Sequence, residues 1–127
     1  MALVLVVDDD PCAFEIEAWA CAALNLPIQF RHATTVAEGL EIAKRDRPDA
    51  IVTDMCFDHP SLDTRGGERL CNAIRREFTR DQMLLILRSG LVDEGFDKFD
   101  FADATIRKGG DARTAVLQLA SMLNLSA

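Results

Sequence analysis

The sequence predicts an α/β fold in which a parallel sheet of five strands carries helices on both faces. Three observations carry this expectation. Short apolar runs alternate five times with longer stretches of helical composition along the 127 residues. The first run, residues 3–7, is aliphatic throughout, the pattern of a strand buried on both faces. Chemically useful side chains (Asp8, Asp9, Asp10, Asp54, Ser89 and Lys108) fall where runs give way to loops, and ligands in open α/β sheets bind there.

Each element has a local cause. After the strand at 3–7, Asp10 suits an N-cap and Pro11 a first helical turn, so a helix is expected to about Leu24, stopped by Asn25 and Pro27. Residues 28–32 form a weaker strand. Thr34 or Thr35 caps a second helix, 36 to about 45, with Glu38 and Glu41 early and Lys44 and Arg45 late, matching the helix dipole. Pro48 breaks it, and residues 50–53 form a third strand ending at Asp54. Polar residues 58–67 read as a loop, 68–78 as a third helix and 83–87 as a fourth buried strand. Residues 91–101 contain Gly95 and four acids, so a helix there is short or irregular. Residues 103–107 form the least apolar strand. Asp111 caps a last helix, 112–123, with Val116, Leu119, Ala120 and Leu123 on one face.

The chain length suits one domain with one core, expected to span 1–127. A hydrophobic share of 49% can fill that core, so the chain is not disordered. The formal charge of -7 argues against a nucleic-acid partner, which needs a basic stripe, and against an anionic membrane surface. Cys12, Cys21, Cys56 and Cys71 lack metal-ligand spacing and read as small buried hydrophobes in a reducing cytoplasm. The first apolar run is too short for a membrane span, and a cytoplasmic location is expected.

The acids at 8–10 alone would also fit a solvated turn with a helix cap. Their place at the end of a central strand, with Asp54 at the end of the third, favours a shared site. Adjacent strands lie about 4.8 Å apart, and carboxylates that close repel unless a cation sits between them. Hard oxygen ligands suit Mg²⁺ or Mn²⁺. Ser89 and Lys108 end the fourth and fifth strands. A hydroxyl and an ammonium beside such a cluster suit phosphoryl transfer to a carboxylate, where charge on the transferred oxygens must be neutralised. Separately, a loop cap and a snorkelling lysine remain open readings of these two residues.

Val-Val-Asp-Asp-Asp-Pro at 6–11, Arg-Pro-Asp-Ala-Ile-Val-Thr-Asp-Met at 47–55, Ser89-Gly90 and Lys108 together resemble the signature regions of response-regulator receiver domains of bacterial two-component systems. The resemblance spans nearly the whole chain. It implies a flavodoxin-like (βα)5 doubly wound sheet in strand order 2-1-3-4-5, as a stand-alone domain without an output domain. It also implies that Asp54 is the phosphoacceptor, with Ser89 hydrogen-bonding the phosphoryl group and Lys108 forming a salt bridge to it. Asp9 would bind Mg²⁺ directly, Asp8 mainly through water, and Cys56 through its backbone carbonyl. The implied partner is a sensor histidine kinase or a histidine phosphotransfer protein. Such a chain catalyses only its own phosphorylation and dephosphorylation and signals by protein–protein contact.

The sequence departs from the family's pattern in four places. Residues 57–65, containing Asp58, His59, Asp63 and Arg65, form an insertion beside the site, a solvated loop or a lid. Thr105 stands where the family has its switch aromatic. Gly109 follows Lys108 in place of proline, and because a cis bond there costs roughly 3 kcal/mol the trans form is expected. The stretch from Ser89 to Lys108 is short, and Arg88 replaces an apolar residue. Thr105, Gly109 and the short fourth helix favour an alternative, a phosphorylation-independent interaction module on the same fold. A phosphohydrolase resembling the haloacid-dehalogenase group is the weaker rival, because Cys56 stands where that group has a second acid.

The first helix is apolar on two arcs separated by Glu15 and Glu17. Ile16, Ala20 and Ala23 are expected to face the sheet, leaving Phe14, Ala18 and Cys21 outward for a partner. The resemblance makes that outer face the kinase-docking surface. Cover by the inserted loop, or a homodimer contact, would equally explain it.

Overall fold

A computed structural model describes residues 2–8, 12–54, 66–89, 102–107 and 112–124, without the side chains of residues 12–17, 89, 107 and 112. Among the described residues the elements follow one another in the order β1 (Ala2–Val7), α1 (Cys12–Ala23), β2 (Ile28–Ala33), α2 (Val36–Asp46), β3 (Ala50–Asp54), α3 (Gly66–Arg75), β4 (Leu84–Ser89), β5 (Ala104–Arg107) and α4 (Ala112–Met122). The strands form one parallel sheet in the order β2-β1-β3-β4-β5. This is the flavodoxin-like order that the sequence motifs imply.

The sheet is buried on both sides, and strand alternation sorts its residues between two cores. Val4 and Val6 of β1, Ala50 and Val52 of β3, Ile86 of β4 and Ile106 of β5 pack with Ala20 and Cys21 of α1 and Val116, Leu119 and Ala120 of α4. Leu5, Val7, Ile51 and Leu85 face the other way, against Ala43 of α2 and Leu70, Cys71 and Ile74 of α3. β1 and the first three residues of β3 read as apolar runs because each residue has a hydrophobic neighbour on its own side. Helix α2 comes close to the sheet at Gly39, where an added Cβ would lie 3.2 Å from Val7 Cγ2.

Local chemistry sets the helix ends. Thr35 Oγ1 accepts from the Glu38 amide at 3.1 Å, and Glu38 Oε1 accepts from the Thr34 amide at 2.9 Å, a reciprocal cap. Of the two candidate threonines, Thr35 is therefore the N-cap of α2. Asn25 adopts φ 55° after α1. The Leu26 amide then reaches the Cys21 carbonyl at 3.0 Å and the Asn25 amide the Ala22 carbonyl at 3.2 Å, closing a Schellman turn. Helix α3 starts at Gly66 and ends at Arg75, short of the expected Phe78. The amides of Glu77 and Phe78 both donate to the Ile74 carbonyl, which tightens the chain into a turn.

Asp103 fastens the edge of the sheet. Its Oδ2 accepts from the Leu85 amide at 2.8 Å and from Arg75 Nη2, while its own amide donates to the Leu85 carbonyl at 2.8 Å. Arg75 Nη1 also donates to the carbonyls of Phe78 and Met83, each at 3.2 Å. One guanidinium thus ties α3, the turn after it and the entry to β5. Among the described residues no helix is long and apolar enough to cross a membrane.

Two predictions follow from this packing. Replacing Arg75 by Ala should remove about 2 kcal/mol of unfolding free energy through the lost charged hydrogen bonds. A urea midpoint that falls at unchanged slope would show this, and an unchanged midpoint would mean that Asp103 holds β5 unaided. Burial pushes the Cys21 thiol up to about 11 and the Cys71 thiol up to about 12, from an ordinary 9.0. Folded values above unfolded ones favour the fold fully below pH 9.0 and lose that contribution as pH rises through about 11 to 12. The urea midpoint should therefore drop in strongly alkaline buffer, and less steeply in Cys71→Ala.

Candidate functional site

The even-numbered residues that put β1, β3 and β4 into the core beside α1 and α4 lead, at the carboxyl edge of the sheet, to charged side chains. On β1 the series Val4, Val6 is followed by Asp8, whose amide continues the ladder by donating to the Ala33 carbonyl at 3.0 Å. On β3, Ala50 and Val52 are followed by Asp54. Since Val7 pairs with Thr53, Asp8 and Asp54 lie side by side on neighbouring strands, about 4.8 Å apart along the sheet. Both are buried, at 3% and 7% exposure.

Their surroundings hold the backbone still. Thr53, fully buried, donates its hydroxyl to the Asp54 carbonyl at 3.0 Å. His32 near the end of β2 contacts the Asp8 carbonyl through Nε2 at 2.9 Å. A carbonyl only accepts, so Nε2 carries the proton. Sequence reasoning missed His32. Its signal was its place one residue before the end of the strand beside β1.

β4 brings a third charge to the same face. Arg88 follows Leu84 and Ile86 in alternation and pairs in register with Asp54 on one side and Ile106 on the other. Burial pushes its guanidinium below the ordinary range, and the Asp8 carboxylate opposes that shift. The guanidinium stays protonated throughout the physiological range.

The other expected site residues divide between the described and undescribed parts of the chain. The Ser89 backbone ends β4 opposite Arg107. The Ser89 side chain, Asp9, Cys56, Lys108, Gly109, the insertion 57–65 and the stretch 91–101 lie outside the described residues. Thr105 sits in β5 beside Leu87, half-buried. Among the described residues no group of three or more His, Cys, Asp and Glu gathers as a metal site. Asp8 and Asp54 nevertheless fit a hard divalent cation, being two buried carboxylates on one face of adjoining strands.

The outward face expected of α1 needs correction. Cys21 is buried, at 2% exposure, beside Ala20, whereas Ala23 is exposed. Ala18 is half-buried, the Phe14 side chain is not described, and Trp19 points outward at 70% exposure. A helix apolar around most of its circumference leaves its rotation unspecified, and α1 is turned by its packing against both the sheet and α4.

This strand order, with helices on both sides and acids at the carboxyl edge, is the fold of CheY-like response-regulator receiver domains. No family model matches the chain, and no curated protein matches it significantly. Among solved structures, the chemotaxis response regulator CheY4 of Vibrio cholerae superposes with a TM-score of 0.75 at 20% identity, over 95% of this chain and 98% of that one. A CheY-like receiver-domain protein from Methanospirillum hungatei JF-1 gives 0.73 at 23% identity, over 98% and 94%. The BeF3-activated DrrB receiver domain gives 0.74 at 20%, over 98% of each chain.

The His32 contact is testable. Replacing His32 by Ala should cost about 1 kcal/mol of stability, the worth of one neutral hydrogen bond. It should also move the Asp8 and Ala33 amide resonances more than those of β4. Equal shifts across the sheet would point to a general packing defect.

Proposed function

We propose that this chain is a phosphoacceptor receiver module of a two-component or phosphorelay system, taking a phosphoryl group on Asp54 from a phosphohistidine. The observation that carries this reading is the buried Asp54 carboxylate at the carboxyl end of β3, with Asp8 beside it on β1 and on the same face.

Strand ends hold the Asp54 carboxylate in one orientation, so its attack on phosphorus loses little orientational freedom. A carboxylate oxygen forms the new O–P bond, the N–P bond of the phosphohistidine breaks, and the imidazole leaves with the bond's electron pair. Asp8 and Asp54, with Asp9 and the Cys56 carbonyl, would hold Mg²⁺ or Mn²⁺. When bound, that ion supplies charge neutralisation for the phosphoryl oxygens. Ser89 would donate a hydrogen bond to the transferred group and Lys108 would pair with it. The module turns over no free substrate, and its partners are a sensor histidine kinase or phosphotransfer protein and a downstream protein, in the cytoplasm.

A second reading keeps the fold without the phosphoryl switch, as an interaction module. Thr105 favours it, because a half-buried threonine on β5 offers no ring to move with Ser89.

Incubation with Mg²⁺ and acetyl phosphate should add one phosphoryl group, seen by intact-mass spectrometry and absent in Asp54→Asn. An unlabelled chain, under conditions that label an ordinary receiver, would favour the interaction module. Multiple turnover of a simple phosphate ester would instead indicate a phosphohydrolase.

A further inference from the structure

Receiver chemistry asks the Asp8–Asp54 edge to take up a cation, yet this chain carries a cation of its own on the adjoining strand. Arg88 is the in-register neighbour of Asp54, and its side chain leaves the sheet on the face that carries Asp54 and Asp8. The strand around it is otherwise apolar, with Leu84, Leu85, Ile86 and Leu87 preceding it, and its Nη2 atom lies buried. A guanidinium is not carried into such a wall for packing alone, because its desolvation must be offset by nearby negative charge. Among the described residues, Asp8 and Asp54 are buried on that face, and their carboxylates would repel each other across adjoining strands. The charge signs and the strand register therefore favour the same arrangement.

We propose that Arg88 is the built-in counterion of the Asp8–Asp54 pair, and that a divalent cation entering this pocket has to displace its guanidinium. This inference rests on the phosphoacceptor reading for the identity of the incoming ion. It goes further by making Arg88 the residue that sets how much metal the pocket needs. In the metal-free state the guanidinium sets a positive charge beside the two buried acids. When metal binds, Arg88 is released toward the site edge, where its planar fork suits a phosphoryl oxygen. Tolerance of the two buried acids without metal and weak metal binding are then two consequences of one side chain.

Two measurements on the full chain test this. The first is a metal-free stability cycle in EDTA, combining Arg88→Met with Asp8→Asn and reading urea midpoints. Arg88→Met should lower the midpoint clearly in the parent chain and much less in the Asp8→Asn background, while Arg88→Lys should hold an intermediate value. Additive effects would overturn the counterion role. The second is Mn²⁺ titration followed by electron paramagnetic resonance. Removing one nearby positive charge should tighten Mn²⁺ binding about tenfold in Arg88→Met, given the size of charge–charge energies at partly buried sites. Equal affinities in the parent, Arg88→Lys and Arg88→Met would overturn the displacement. Should no variant bind Mn²⁺, the phosphoacceptor reading fails, and the EDTA cycle alone then decides whether Arg88 is the counterion. Should Arg88→Met not fold, Arg88→Gln replaces it in both measurements.

Discussion

Two-residue periodicity in a parallel sheet is the constraint on which the rest of this structure depends. Successive side chains must leave a strand on opposite sides, and parallel neighbours run in fixed register. Once Val4, Val6, Ala50, Val52 and Ile86 are committed to the core beneath α1 and α4, Asp8, Asp54 and Arg88 have no choice of side. A one-residue slip of β3 would carry Asp54 to the face occupied by α2 and α3 and bury it among Leu70 and Ile74. The apolar core thus positions the charged edge.

That edge is also where the chain accepts its least favourable burial. Asp8 and Asp54 lose most of their hydration, and only fixed hydrogen bonds and opposite charge can compensate. The backbone supports come from Thr53 and His32, and opposite charge from Arg88, on which the Asp8 carboxylate acts. At the far side of the sheet the same logic is applied to structure alone. Arg75 and Asp103 form a half-buried pair whose remaining polar atoms meet carbonyls and an amide. The first set of charges leaves room for chemistry, and the second holds the short strand β5 in place.

The three solved structures named above share this fold at identities of 20% to 23%, low enough that individual residues are free to differ. Arg88 and Thr105 lie on β4 and β5, next along the sheet from Asp54. A shared fold fixes where strand ends lie, and function has to be argued from the particular residues placed there.

Much of this was legible in the residues themselves. Aliphatic runs of strand length between capped helices determined the alternation of elements, because buried parallel strands have no polar side to disguise them. Thr35, Asn25 and Pro48 marked helix ends by local hydrogen bonding or backbone preference, which neighbouring residues suffice to define. Asp8 and Asp54 stood out because they end such runs. Only the tertiary structure decided the rotation of α1, which buries Cys21 and exposes Trp19, since a helix apolar on most sides carries no phase signal. The contacts of His32 and Arg75 and the register of Arg88 beside Asp54 were likewise settled by strands and helices meeting across long stretches of chain, and neighbours of that kind leave no periodic trace in a sequence.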